Sequence, residues 1–207
     1  MGGVLSADGA ELQALTEAID VQGATCWSPD GRWIVTGGDA ADGPGLFKVP
    51  VSGGAPTRLF KGDAYHPVWS PDGSIIAYVG ESVGAYAPLL AVSPAGTPIT
   101  LPPIQLRYGS DRITTFGGER ARFLPDGKGL VYMQGLLPQQ DFWLLDLTTH
   151  KTRQLTHLRS GEAMRTFDVT PDGKHIVFDR SRENSDIVLI ELPADDTRNQ
   201  GARLVPR

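Results

Sequence analysis

The chain has 207 residues, enough for one large domain or two small ones with a real core. Its formal net charge of −5 excludes a broad nucleic-acid footprint, which needs clustered Lys and Arg. A single cysteine, Cys26, excludes intramolecular disulfides and cysteine-based zinc sites, and no run of about 20 apolar residues is present to span a membrane.

The 25 glycines, 16 prolines and 21% charged residues suit a turn-rich all-β chain better than a helical bundle. The opening "MGGVLSADGAELQ" has neither the basic nor the apolar region of a signal peptide. Within it, "VLSADGAELQALT" reads as the third and fourth strands of a unit that has no first half.

A repeat follows: "CWSPDGRWIV", "VWSPDGSIIA", "RFLPDGKGLV" and "DVTPDGKHIV". Its turn aspartates Asp30, Asp72, Asp126 and Asp172 are separated by 42, 54 and 46 residues, the period of one four-stranded propeller blade. Pro presets φ for a turn, Asp tolerates the next position and Gly supplies a positive φ, so each copy predicts a tight hairpin. Trp27, Trp69, Phe123 or Val169 ends the strand before the turn. The strand after it ("RWIVT", "SIIAYV", "KGLVYM", "KHIVF") is apolar on both faces, as in sheets stacked side by side. Third strands are "GLFKV", "PLLAV", "FWLLDL" and "DIVLIEL", and fourth strands are "TRLF", "PITL" and "TRQLT". After Leu192 the chain turns polar, so residues 1–192 form one propeller domain or fragment and residues 193–207 a tail. Its last four residues, "LVPR", match the remnant of a common tag-cleavage site.

Two arrangements fit these ends. Glu11–Thr16 completes the last blade and closes a four-bladed ring, or the chain is the C-terminal part of a larger propeller. The second is favoured, because four-bladed rings are rarer and the N-terminal unit starts in its middle.

Over residues 4–192 these repeats resemble the TolB-type propeller repeat, which is distantly similar to WD-type propellers. The stretches "RFLPDGKGLVYMQG", "DFWLLDLTTHKTRQLT" and "RTFDVTPDGKHIVFDRSRENSDIVLIEL" resemble the C-terminal propeller of bacterial eukaryotic-like serine/threonine kinases. The resemblance implies a non-catalytic sensor or interaction module, with an effector domain upstream in the full-length protein and a periplasmic or extracytoplasmic setting. It implies no cofactor. No kinase motif occurs in the chain, so no kinase activity carries over. Two other readings stay open: the propeller of a prolyl-oligopeptidase-type peptidase, and a TolB-like periplasmic interaction protein.

Four features are candidates for chemistry. "GESVG", Gly80–Gly84, matches G-x-S-x-G with Ser82 as nucleophile, but that motif needs a helix after the turn, and Pro88 opens a further strand. The histidines His66, His150, His157 and His175 form no i,i+4 pair. His66 precedes an inner strand and reads as a loop histidine near a propeller face or channel, and His175 as a structural residue just inside a strand. "FDVTPDGKHIVF" places Asp168, Thr170 and Asp172 as in a calcium loop, but the twelfth position holds Asp179 and the flanks are strands. The recurrence of Pro-Asp-Gly makes this a turn, so no metal site is expected.

The insertion "PPIQLRYGSDRITTFGGERAR", Pro102–Arg122, explains the long interval and is the expected binding loop, with Arg107, Tyr108, Asp111, Arg112 and Arg120 as its contact residues. "DRSRENSD", Asp179–Asp186, reads as a solvated loop whose charges satisfy backbone groups.

Overall fold

The structure is a computed structural model that describes residues 2–5, 12–107, 120–136, 139–158 and 164–179. It is all-β. Strands β1 (Gly2–Leu5) and β2 (Leu12–Thr16) pair as an antiparallel hairpin. The first complete unit is the antiparallel sheet β3 (Ile19–Trp27), β4 (Trp33–Ala40), β5 (Gly43–Pro50) and β6 (Thr57–Lys61), in chain order. The second is β7 (Tyr65–Trp69), β8 (Ile76–Val79), β9 (Tyr86–Val92) and β10 (Pro98–Ile99), with β11 (Gln105–Arg107) also on β9. The third is β12 (Ala121–Phe123), β13 (Gly129–Leu136), β14 (Gln139–Asp146) and β15 (Thr152–Gln154). A last hairpin joins β16 (Phe167–Val169) to β17 (Ile176–Phe178).

The repeated turn is the same object four times. Gly31, Gly73, Gly127 and Gly173 have φ of +69°, +77°, +71° and +69°. Their N–H groups donate to the carbonyls of Ser28, Ser70, Leu124 and Thr170 at 2.8–3.0 Å, closing a β-turn over Pro-Asp. Those four residues in turn donate to Trp33, Ile75, Gly129 and His175, which closes the hairpin. The aspartate carboxylate fixes the turn from inside by accepting the N–H two residues on, as in Arg32 to Asp30 at 3.1 Å. In three units a hydroxyl joins it: Ser28, Ser70 and Thr170 each donate to their aspartate at 2.6 Å. These bonds hold Asp30, Asp72 and Asp172 below the ordinary aspartate range, the hydroxyl donor being the largest cause. Leu124 carries no hydroxyl, so the third turn has only the backbone donor from Lys128 on Asp126, at 2.9 Å.

The sheets stack face to face around a common axis. Because side chains alternate along a strand, each inner hairpin has one face toward the unit before and one toward the unit after. Trp69 and Ile76, which pair across β7 and β8, pack with Val35 and Leu46 of the first unit. Val68 and Ala77, one step along, pack with Phe123 and Leu130 of the third. Val131 and Phe142 pack with Phe167 and Ile176 of the last hairpin, and Leu15 of β2 with Ile34 and Val49. Val35, Leu46 and Ile76 are completely buried, each stabilising the stack by about 1.5–3 kcal/mol relative to exposure. The doubly apolar inner strand predicted from the sequence is buried on both faces in β8, where all four residues are buried, but not in β17, where Val177 is 62% exposed.

Three expectations are corrected. The insertion is shorter than Pro102–Arg122, because Gln105, Leu106 and Arg107 pair with Pro88, Ala87 and Tyr86 of β9. The fourth strand of this unit is split: β10 pairs with Val92 and Ala91, the chain kinks at Pro102 and Pro103, which lack N–H donors, and β11 resumes pairing with β9 further along. His66 lies within β7, not in a loop before it. His175 is exposed and stands just before β17, held by its N–H to Thr170 Oγ1 at 3.1 Å. Among the described residues no helix is long and apolar enough to cross a membrane.

Candidate functional site

The inner strands β3, β7 and β12 converge on a solvent-open cleft of about 650 Å³. Thr25, Cys26, Pro67, Trp69, Arg122 and Phe123 are among its walls. The position three before the turn proline holds Cys26, Val68, Arg122 and Asp168; the first three face the following unit, and Cys26 and Arg122 each make a polar contact to it. The Trp69 N–H donates to Cys26 Sγ at 3.3 Å. Arg122 Nε donates to Asp168 Oδ1 at 3.2 Å, bridging the third unit and the last hairpin. Asp168, the would-be calcium ligand, thus has a guanidinium as its partner, and the same oxygen accepts the Val169 N–H at 2.8 Å. Among the described residues no group of three or more His, Cys, Asp and Glu is arranged to hold a metal ion.

Above the cleft, β7 carries a bulge between Tyr65 and Val68. There His66 is 3% exposed and has φ +49°, a left-handed conformation rare for a non-glycine residue inside a strand. Gly23 lies opposite: a Cβ there would meet the His66 ring at 3.4 Å, so two bulged inner strands fit together through a glycine. Nothing in the sequence around His66 marks this conformation.

A second feature lies at the outer part of the second unit. The β8–β9 connection is a tight hairpin tip: Val83 N–H donates to Tyr86 O at 2.7 Å, and Gly84 has φ +62°. The chain continues from this tip as strand β9, so "GESVG" has a strand–turn–strand setting and lacks the helix that a nucleophile elbow uses. Ser82 makes no hydrogen bond among the described residues. Val83 is 77% and Tyr86 44% exposed, two of the few large apolar side chains open to solvent. The backbone partner of Tyr86 is Arg107.

The expected binding residues therefore divide. Arg107 lies on β11, beside the tip. Arg120 immediately precedes β12, where its carbonyl accepts the Met133 N–H at 3.0 Å. Tyr108, Asp111 and Arg112 lie outside the described residues. Of the Asp179–Asp186 stretch only Asp179 is described, and it acts as a backbone acceptor, taking the N–H groups of Arg165 and Thr166 at 2.8 Å. The exposed tip was not singled out as a surface in the sequence, although its Val and Tyr flank a Gly-rich turn.

No protein-family model and no curated protein matches the chain. Solved structures do. TolB from Acinetobacter baumannii superimposes with a TM-score of 0.60 over 94% of this chain at 19% identity, and the matched part is 43% of TolB. The fold is that of a TolB-like β-propeller. A putative TolB from Agrobacterium tumefaciens matches over 92% of the chain with a TM-score of 0.58 and 18% identity, covering 73% of that protein. An oligogalacturonate lyase in complex with manganese matches over 87% with a TM-score of 0.62 and 18% identity, covering 53% of the lyase. The chain thus spans about half the length of the first and third of these proteins. TolB-like propellers accordingly include both a TolB and a lyase, so the fold leaves activity to particular residues.

Proposed function

We propose that this TolB-like propeller is a non-catalytic recognition module, the sensor or scaffold part of a larger bacterial signalling protein. It binds a protein partner through the exposed β8–β9 hairpin tip of its second unit. The observation that carries this reading is the Val83–Tyr86 tip. It presents an apolar residue and a tyrosine to solvent at the end of a sheet buried on both faces, and the backbone partner of Tyr86 is Arg107, from which residues 108–119 continue. Tyr and Arg dominate binding energy at interfaces, and a tip held by strands paired on both sides lowers the ordering cost of presenting them.

The test is site-specific photo-cross-linking in cells with a benzoyl-phenylalanine at Val83. A single dominant adduct is expected, reduced by Tyr86→Asp and by joint replacement of Arg107, Tyr108 and Arg112, with the fold intact by circular dichroism. Equal adducts from a probe at Asp72, at the opposite end of β8, would count against the site.

A second reading is favoured by the likeness to oligogalacturonate lyase: an enzyme on the same scaffold. Incubation with oligogalacturonate and manganese, followed by ultraviolet absorbance of the unsaturated product, tests it. Turnover that co-purifies with the protein would replace the recognition reading.

A further inference from the structure

A cation is set into the wall of the cleft between the inner strands, and packing does not account for it. In the second unit the repeat position of Arg122 is filled by Val68, which is 5% exposed, so the stack itself needs only an apolar side chain there. The ion pair does not account for it either. The Arg122 side chain is 22% exposed and that of Asp168 73%, and so open a carboxylate adds little stability while the guanidinium loses most of its water. Two bonds nevertheless orient the guanidinium: Nε donates to Asp168 Oδ1 at 3.2 Å and Nη1 to the Ala121 carbonyl at 3.2 Å. The solvent-open cleft that it lines holds about 650 Å³, room for a two-ring molecule. Its other walls are mostly apolar: Trp27 is exposed, Trp69 half-buried, and Pro67 and Phe123 buried. The Trp69 indole N–H donates to the Gly73 carbonyl at 3.1 Å, so this ring offers the cleft carbon surface.

We propose that this cleft binds a planar aromatic carboxylate, its ring against Trp27 and Trp69 and its carboxylate on Arg122. The guanidinium selects an anion, and the walls select the ring. A sugar acid also carries a carboxylate, but each of its hydroxyls needs a hydrogen-bond partner. Among the described wall residues, only Thr25 and Cys26 add polar side chains to those of Arg122 and the indoles, and Cys26 Sγ already accepts the Trp69 N–H at 3.3 Å. An aromatic ring needs no such partners and stacks on indole. The ligand carboxylate replaces Asp168 on the guanidinium, an exchange that the exposure of Asp168 makes easy. No residue of the Val83–Tyr86 tip takes part, so this inference goes beyond the recognition role and is tested apart from it.

The experiment uses the single cysteine as a reporter in the cleft wall. Alkylation of Cys26 by iodoacetamide, read by mass spectrometry, is followed against increasing 2-naphthoate, with 2-naphthamide as the uncharged isostere and galacturonate as the sugar acid. Expected is saturable protection by 2-naphthoate with a midpoint of about 1 mM or below, and midpoints at least about tenfold higher for the other two. Arg122→Gln should raise the naphthoate midpoint by about tenfold or more. Asp168→Asn should lower it by up to about fivefold, because the competing carboxylate is gone. Equal protection by the acid and the amide overturns the proposal. So does a lower midpoint for galacturonate than for naphthoate, or protection by none of the three. If Arg122→Gln does not fold, as judged by circular dichroism, Asp168→Asn decides. An arginine that serves only its ion pair leaves the naphthoate midpoint unchanged or higher in that variant, and either result overturns the proposal.

Discussion

Gly37 offers the sharpest test of how the units stack. It lies on β4, where intrinsic preference alone favours replacement: Gly in a strand costs roughly 0.5–1 kcal/mol relative to Ala, so Gly37→Ala should stabilise. The structure predicts the opposite sign. A Cβ at Gly37 would sit 1.7 Å from the carbonyl oxygen of Ala64 and 2.9 Å from its carbon. Both partners are backbone, so no rotamer change relieves the overlap. A tolerable contact needs roughly 1.5 Å more, and only separation of the first two units supplies it. That separation loosens Val35, Leu46, Leu59, Ala64, Ile76, Tyr78 and Val92 together. A radial gap of about 0.5–1 Å already forfeits a quarter to a half of each dispersion contact, and ordinary overpacking costs about 1–3 kcal/mol. Gly37→Ala should therefore lose about 3 kcal/mol or more, or about 6–12 °C in Tm for a chain of this size. Thermal and urea unfolding followed by tryptophan fluorescence measure it. Gly31→Ala is the control: nothing lies within 4 Å of its added Cβ, and it meets only the strain of φ +69°. A Gly37→Ala protein as stable as the parent, or losing less than Gly31→Ala, would refute the stacking geometry.

Three further outcomes are expected. His66→Gly should be more stable than His66→Ala by about 1 kcal/mol in urea titrations, because both remove the ring but only glycine relaxes a φ of +49°. Burial pushes the Tyr78 hydroxyl up to about 12 from 10.0. The unfolded chain therefore loses that proton first, and stability should fall as pH rises from about 10 toward 12, by roughly 2–3 kcal/mol at most from this residue, and less steeply in Tyr78→Phe, where Tyr132 is still raised by burial. A double-mutant cycle on Arg122 and Asp168 should give a coupling below about 1 kcal/mol, since the Asp168 side chain is 73% exposed; a coupling of several kcal/mol would refute an exposed pair.

The blade was legible because its turn is made of local chemistry. Pro, Asp and Gly each meet a backbone requirement within a few residues, and the hydrogen bonds at Asp30, Asp72, Asp126 and Asp172 repeat as the letters do. That Cys26, Val68, Arg122 and Asp168 share one repeat position was also present in the letters. What it touches depends on the neighbouring unit, so its roles as sulfur acceptor and ion-pair member needed coordinates. Strand β11 was hidden because Pro102 and Pro103 read as a loop, although the chain returns to β9 immediately after them. His66 gave no signal: its left-handed turn is imposed by the fit of two bulged strands against Gly23, a tertiary constraint that overrides its residue type. The sequence bounded the candidate binding loop at Pro102–Arg122, whereas β11 extends through Arg107 and β12 begins at Ala121; it did not single out the exposed tip beside it.

The departures from the repeat are not scattered. His66, the Val83–Tyr86 tip, Arg107 and Arg120 all lie at the ends of their strands away from the Pro-Asp-Gly turns: β8 runs from Asp72 toward Val83, β9 starts there, and β7 and β12 run from that end to theirs. The turn end repeats because its geometry comes from four residues of the same hairpin, and any change there disturbs the strand pairing it sets. The opposite end is joined by links of unequal length, which carry no register and so are open to variation. A propeller of this kind thus separates its tasks by direction along the strand. One end specifies the hairpin, and at the other, where a buried histidine is strained and Tyr86 is partly exposed, the proposed recognition would leave the hairpin pairing intact.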